Sequence, residues 1–104
     1  MVITNLPDIK NRDYDILGLV EGTAVFAKHL GKDLMAGFKN MAGGELKAYT
    51  EMIDDAKKIA LDRLIVEAGN IGADGVLNVQ YSITNLQGGS SLVVIALGTG
   101  VKFK

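Results

Sequence analysis

Residues 14–26, which read YDILGLVEGTAVF, are the stretch of sequence that decides the fold. Apolar side chains occupy both the even and the odd positions, so a strand over these residues presents apolar groups on both of its faces. Gly18 and Gly22 interrupt the even-numbered row, which indicates a bulge, a bend or the close approach of a neighbour. The pattern predicts a long strand that is covered on two sides through much of its length.

Two further strands are predicted in the C-terminal third of the chain. Residues 77–84 alternate strictly between apolar and polar side chains, which indicates a strand with one solvated face. The apolar positions of this alternation are Leu77, Val79, Tyr81 and Ile83. Residues 92–103 begin with a continuous apolar run, and the Gly- and Ser-rich segment 87–91 between the two strands predicts a hairpin turn. A short strand over residues 1–4 completes the predicted sheet.

Two helices are predicted between the long strand and the hairpin. Residues 32–41 carry apolar side chains at helical spacing over about three turns, and residues 45–71 carry a longer stripe of the same kind. The longer stripe consists of Tyr49, Met52, Ile53, Ala56, Ile59, Ala60, Leu64, Ala68 and Ile71. Gly72 follows this stripe directly and is the expected left-handed residue at the helix end. The elements predict one α+β domain over residues 1–104, with an antiparallel sheet backed by one long and one short helix in two layers.

The predicted sheet has more apolar surface than its own chain can cover. The helices pack on one face only, whereas residues 14–26 and 92–97 place apolar side chains on both faces. A domain of 104 residues buries only about two-thirds of its unfolded surface, so little chain remains to cover the second face. Because most soluble oligomers contain identical chains in closed symmetry, we expect a homo-oligomer.

Composition excludes several classes of function. The 11 Lys and Arg residues against 12 Asp and Glu give a net charge of −1, which is not the basic surface that a nucleic-acid partner requires. The chain has no Cys, which excludes disulfides and thiolate sites and fits a reducing compartment. The first residues do not resemble a secretory signal, and no apolar run approaches the ~20 residues of a membrane span. We expect a cytoplasmic protein with neither a nucleic-acid nor a membrane partner.

Four residues are candidates for a metal site. His29 is the one histidine, and it forms an i,i+4 pair with Asp33 if the short helix includes both. Glu51 and Asp55 lie with Asp54 within about one turn near the start of the long helix, and paired carboxylates can bind hard cations. The alternative for these carboxylates is a solvated position favoured by the helix dipole. For His29 the alternative is a surface or loop-end position.

Arg63 and Glu67 form an i,i+4 pair beside the apolar stripe of the long helix. They could make an ion pair across a subunit interface, or an ordinary pair within the helix. An enzyme would require a cleft between subunits that contains these two residues. The serines lie in no catalytic motif and have only His29 as a base, so we predict no catalytic residues, no cofactor and no enzyme.

Short motifs spread along the chain resemble a known family when their order and spacing are taken together. They are Gly18-Leu19-Val20-Glu21-Gly22, Asp33-Leu34, Gly43-Gly44 followed by Ala48-Tyr49 and Ala56, Glu67-Ala68 with Gly72-Ala73-Asp74, and Gly98-Thr99 with Val101-Lys102. In these motifs the chain resembles, over nearly its whole length, the YbjQ-like family of uncharacterised prokaryotic proteins, some of which carry a heavy-metal-binding label. The resemblance implies a dodecin-like α+β subunit assembled into a ring, which we expect to be a pentamer, and it implies no activity and no catalytic residues.

Three hypotheses about function follow. The first is a non-enzymatic, homo-oligomeric module, a pentamer by the resemblance, that binds a small ligand or a partner at its subunit junctions. The second is a metal-binding protein in which the ring repeats His29, Asp33 or the helix carboxylates Glu51 and Asp55 around its axis. The third is an enzyme with a site between subunits near Arg63 and Glu67.

Overall fold

Four strands and one helix make up the described parts of the chain, which are residues 1–26, 47–86 and 91–104 of a computed structural model. The elements are β1 (Val2–Ile3), β2 (Tyr14–Phe26), α1 (Lys47–Asn70), β3 (Gly75–Leu86) and β4 (Ser91–Phe103). The predicted long strand is confirmed at both of its ends, and the predicted long helix is confirmed to within two residues. The short helix predicted over residues 32–41 and most of the turn predicted over 87–91 lie outside the described residues.

The strands form one sheet in the order β1-β3-β4-β2. β4 lies inside the sheet and is antiparallel to both β2 and β3. β1 pairs in parallel with β3, through Val2 opposite Gly75 and Ile3 opposite Val76. The α+β class is therefore confirmed, but the prediction of a purely antiparallel sheet is wrong. The chain between β1 and β3 is long enough for a crossover, so β3 can return in the direction of β1.

α1 ends in a glycine cap. Gly72 has a φ of 82°, the Ala73 N–H donates to the Ala68 carbonyl at 2.9 Å, and the Gly72 N–H donates to the Gly69 carbonyl at 3.1 Å. These two bonds define a Schellman motif, which satisfies carbonyl groups that the helix end would leave unpaired. The predicted role of Gly72 is confirmed.

α1 packs against β2 and β4 through small side chains. A Cβ atom at Gly22 would overlap the Ala60 carbonyl oxygen and the Leu64 nitrogen, so the helix lies against bare strand backbone at this point. The buried side chains between the two layers include Val20, Ala24, Ala56, Ala60, Leu64, Ala68, Val94 and Ala96. The core is therefore thin, and its geometry depends on Gly22.

One helix covers only about half of this sheet. An α-helix with its side chains is about 10–12 Å wide, and neighbouring strands lie about 4.8 Å apart, so one helix spans about two strands. Because α1 lies over β2 and β4, the far part of β3 is left open on the helix side, where Tyr81 is 40% and Ile83 is 47% exposed. The Lys57 ammonium group lies 5.4 Å from the centre of the Tyr81 ring, at the boundary of the covered region.

A β-bulge in β3 divides the predicted alternation. Leu77 pairs with Thr99, whereas Tyr81 pairs with Ala96, and the register shifts between Leu77 and Gln80. Since paired residues lie on the same face of a sheet and successive residues of β4 on opposite faces, Leu77 faces away from α1 while Tyr81 faces it. The prediction that Leu77 shares one face with Val79, Tyr81 and Ile83 is therefore wrong.

The face of the sheet opposite α1, which we call the outer face, also carries apolar side chains. On β4 these are Val93, Ile95 and Leu97, which are half-buried. Their neighbours on β2 are more open, with Leu19 70% and Val25 57% exposed. Within residues 1–26, 47–86 and 91–104, no helix or further strand packs on this face.

The two edges of the sheet differ. β2 forms one edge along its whole length. At the other edge, backbone contacts from the first residues of the chain reach β3 only as far as the Val79 N–H, which donates to the Thr4 carbonyl. Residues 80–85 continue beyond that point as an exposed strand edge.

The close contact at Gly22 gives a direct test of the fold. We expect Gly22→Ala to lower the free energy of unfolding by at least about 3 kcal/mol, because the new methyl group would displace helix backbone rather than a side chain. Denaturant unfolding at a fixed protomer concentration measures the change. The matched control is Gly69→Ala, where nothing beyond its chain neighbours and the adjacent backbone of α1 lies within 4 Å of the new methyl group. This control should be neutral or stabilising by about 0.5–1 kcal/mol, and equal losses in both variants would contradict the close contact.

Candidate functional site at the bulged part of the sheet

Two β-bulges lie at the same level of the sheet, one on each side of β4. The bulge in β2 lies next to Gly18, which pairs with Gly100. The bulge in β3 follows Leu77, which pairs with the adjacent Thr99. Bulges re-aim side chains and occur often beside binding sites. Their coincidence across one central strand marks this level as the least regular part of the described sheet.

The bulge in β3 is held in an uncommon backbone conformation. Asn78 has a φ of 54°, in the left-handed region that Asn tolerates better than most residues other than Gly. The Asn78 N–H donates to the Leu6 carbonyl at 2.9 Å, and the Val79 N–H donates to the Thr4 carbonyl at 3.0 Å. These two hydrogen bonds hold the bulge and the segment after β1 in place against each other.

A cavity of about 190 Å³ lies at this level. Its lining residues are Pro7, Tyr14, Ile16, Leu77, Asn78, Thr99 and Val101. Pro7 belongs to the segment that the bulge in β3 positions, and Ile16 and Leu77 lie next to the two bulges. The cavity thus depends on both bulges and on residues that are far apart in sequence.

No charged side chain lines the cavity, but three polar groups do. The Tyr14 hydroxyl donates to Asp8 Oδ1 at 2.5 Å, and this hydrogen bond, with lesser effects of desolvation and of the carboxylate charge, raises the pKa of Tyr14. Asn78 Oδ1 accepts a hydrogen bond from Gln80 Nε2 at 3.5 Å. The Thr99 hydroxyl has no hydrogen-bond partner in the described part of the chain. Hydrogen-bonding capacity therefore remains for a guest molecule.

Arg63 and Glu67 contact the free edge of β2. The Arg63 guanidinium donates to the Thr23 carbonyl at 2.5 Å, and the Glu21 N–H donates to Glu67 Oε2 at 3.3 Å. Both backbone groups belong to an edge strand and would otherwise be free to pair with another chain. The ion pairs within the described ranges involve other residues, so Arg63 and Glu67 bind the strand rather than each other. Their pairing across a subunit interface stays a prediction.

The predicted metal ligands are only partly located. His29 and Asp33 lie outside the described residues. Glu51 and Asp55 are exposed on α1, and among the residues that the structure describes no three His, Cys, Asp or Glu side chains gather in one place. A metal site on these four residues stays a prediction.

The cavity is not predictable from the sequence pattern. Residues 77–84 alternate without interruption in the sequence, and nothing in that pattern marks an inserted residue. The available signals were Asn78, a residue type that tolerates the left-handed conformation, and the glycines of β4 opposite the bulges. Gly98 is such a glycine, since a Cβ there would overlap Val76 Cγ1.

These features define a class of small α+β proteins in which a mixed sheet has a helix layer on one face and an apolar second face on which none of the described elements packs. Within the described ranges, no helix combines the length and apolar character that crossing a membrane requires. A family model described as "Putative heavy-metal-binding" matches residues 1–104. The chain therefore belongs to this family, the YbjQ family.

Relatives and a solved structure agree with this assignment. The chain is 47% identical over 104 residues to a UPF0145 protein of Clostridium tetani, covering 100% of this chain and 98% of the relative. It is 48% identical over 105 residues to a UPF0145 protein of Thermosipho africanus, covering 100% and 96%. A crystal structure of a DUF74-family protein of unknown function from Pediococcus pentosaceus has a TM-score of 0.71 at 24% identity, covering 100% and 98%. That structure supports the fold, and the names of these relatives include no enzymatic activity.

The contact between α1 and the β2 edge can be tested through Arg63. We expect Arg63→Ala to lower the free energy of unfolding by about 1 kcal/mol, because an exposed charge-assisted hydrogen bond is lost and the Thr23 carbonyl at the strand edge loses its partner. Denaturant unfolding measures the loss. The control is Asp62→Ala, its exposed neighbour in sequence, which should change stability by less than about 0.5 kcal/mol. An Arg63 variant as stable as the control would show that the edge contact contributes nothing.

Proposed function

We propose that this chain forms a cytoplasmic, non-enzymatic homo-oligomer, a dodecin-like ring of five copies, that binds a small ligand or a partner at its subunit junctions. The observation that carries the proposal is the outer face, on which no described helix or strand packs, where Leu19 is 70% exposed and the apolar side chains of β4 are only half-buried. A contiguous apolar surface of this kind on a small protein is typical of an interface.

The shape of the chain supports an assembly. β2 and β4 have 13 residues each, so each strand is about 43 Å long, while α1 is the one helix that backs them within the described ranges. The Cα radius of gyration is 16.8 Å. A compact domain of this length has a radius of gyration of about 13 Å. A long, thin slab of this type leaves much of its surface available for burial against other copies.

The distribution of apolar groups supports a ring more than a two-fold dimer. On the β3 side of α1, Tyr81 and Ile83 are exposed. Val66 is 64% exposed and follows Arg63 by three residues, which places it on the β2 side of α1. Apolar groups on opposite flanks can join different copies head to tail, and such heterologous contacts close into rings. The number five comes from the family resemblance.

A non-enzymatic role is supported by what the candidate residues do within the chain. The cavity has no charged lining residue, and Arg63 and Glu67 already bind the backbone of β2. The alternative of an enzyme site at a junction requires these two side chains to leave β2 or to act while bound to it.

The ring makes a specific prediction about mass and about mixtures of variants. We expect light scattering to give the mass of five 11.0 kDa chains. Val66→Lys and Ile83→Lys should each prevent ring closure, because each places a charge in one of the two flanks. Mixing the two variants should restore one junction, since each retains the flank that the other has lost.

The control for the added charge is Asn5→Lys, at an exposed position outside both flanks. This variant should retain the mass of the unmodified protein. A stable, soluble species with the mass of one chain in the unmodified protein would overturn the proposed assembly.

The family description favours metal binding as a second candidate function. In a ring, symmetry would bring together His29 and Asp33, or Glu51 and Asp55, from several copies. Stoichiometric uptake of Zn²⁺, Ni²⁺ or Cu²⁺ in calorimetry of tag-free protein, lost in His29→Ala, would establish this candidate. Under the leading proposal we expect no saturable binding tighter than tens of micromolar.

A further inference from the structure

We propose that the cavity between the two bulges is a binding site for a small uncharged molecule with one apolar ring and one hydrogen-bonding group. This inference deepens the proposed ligand-binding role and rests on it. The lining residues described all come from one chain, and Leu77 and Thr99 among them lie on the outer face, where the proposed assembly places a subunit junction.

The size of the cavity limits the ligand. A volume of about 190 Å³ is slightly larger than the apolar cavity of about 150 Å³ that is known to hold benzene in another protein. It is smaller than the roughly 300–1,000 Å³ of pockets that hold drug-sized molecules. The cavity therefore has room for a single ring with a small substituent, and it is too small for a nucleotide.

The uncharged lining of the cavity favours an uncharged ligand over an ionic one. No Asp, Glu, Lys, Arg or His is among its lining residues, so an ion that loses part of its hydration there gains no counter-charge from them. The nearby charged groups are already engaged, since Asp8 accepts from Tyr14 and the Arg12 guanidinium lies 4.1 Å from the centre of the Phe103 ring. An uncharged molecule avoids this desolvation penalty.

The lining groups match a molecule with an apolar body and a polar edge. Pro7, Ile16 and Leu77 supply apolar walls. Ile16 is 72% exposed, and a bound ring would remove part of this apolar surface from water. Thr99 offers a hydroxyl that has no partner among the described residues, and Asn78 offers its amide nitrogen, so a hydroxyl group on the ligand could both donate and accept.

The bulges preform the site. A regular β3 would place the side chain of residue 78 on the face opposite that of Leu77. Without the two bulges, β2 and β3 would also pair with β4 in an unbroken register. Instead the backbone adopts the left-handed conformation at Asn78 and a φ of 131° at Gly18, which a regular sheet would avoid. Backbone irregularities that the surrounding structure maintains are typical of ligand sites.

Phenol is a suitable probe, because it has one apolar ring and one hydroxyl group. We expect a titration of ¹⁵N-labelled protein with phenol at pH 7 to give saturable amide shifts confined to the lining segments, residues 14–16, 77–79 and 99–101, with a dissociation constant in about the millimolar range. Benzoate has a ring of the same size and a negative charge, and it should give no saturable shifts at these amides. Binding of benzoate as tight as that of phenol would overturn the inference.

Variants test the assigned contacts. Thr99→Val should weaken phenol binding by about five-fold, as expected for the loss of one hydrogen bond. Ile16→Ala should also weaken binding, because it removes part of an apolar wall of the cavity. Ile16 is an exposed residue outside the core, so this substitution should leave the fold intact. The control is Thr84→Val, which makes the same change at an exposed position of the same sheet face outside the cavity, and it should bind phenol normally.

The outcomes separate this inference from the proposed assembly. Absence of saturable phenol shifts, shifts at other amides, or equal weakening in Thr84→Val and Thr99→Val would each overturn the binding site. Light scattering on the same samples reports the assembly independently. If phenol binds but the protein does not form the ring-shaped oligomer, the binding site stands and the assembly is rejected. If the oligomer forms but phenol does not bind, only the binding site is rejected.

Discussion

The contact of α1 with the bare backbone of β2 at Gly22 is the constraint from which the other features follow. Because no side chain separates the layers there, the buried helix face consists largely of Ala, and the side chains between the layers are small. The same closeness brings Arg63 and Glu67 to the strand edge, where they bind backbone groups of β2. A close but thin core holds the two layers in place without burying much apolar area. The remaining apolar groups therefore stay at the surface, where another copy can cover them.

Sequence patterns predicted the elements whose evidence is local. The limits of β2, the long helix and the left-handed Gly72 all follow from periodicity or from one residue type at one position. The parallel addition of β1 could not be predicted in this way, because two residues carry no period and their partner lies more than seventy residues away. The bulge in β3 was missed because its sequence alternates perfectly while its backbone does not.

The candidate sites differ in the same way, since some of their residues can be recognised from local sequence spacing and others only from contacts between distant segments. Arg63 and Glu67 were singled out because their spacing is visible in the sequence, but their partners on β2 could be found only once the helix was docked. The cavity forms where the two bulges and the segment around Pro7 lie next to one another. A local sequence pattern cannot predict this contact, because the three parts are far apart in the chain. Its uncharged lining contrasts with the heavy-metal description of the family, since soft metal ions prefer thiolate ligands and this chain has no Cys.

The two edges of the sheet differ in how readily each could pair with a strand from another chain. The middle of the β2 edge is occupied by two side chains of α1, whereas residues 80–85 of β3 have no strand beside them among the described elements and carry no charge, proline or bulge. A foreign strand would thus find a free template on one side of the sheet and an obstructed one on the other. During refolding at high concentration, misassembly would begin at β3, and introducing a lysine there would be the natural way to improve recovery of the soluble protein.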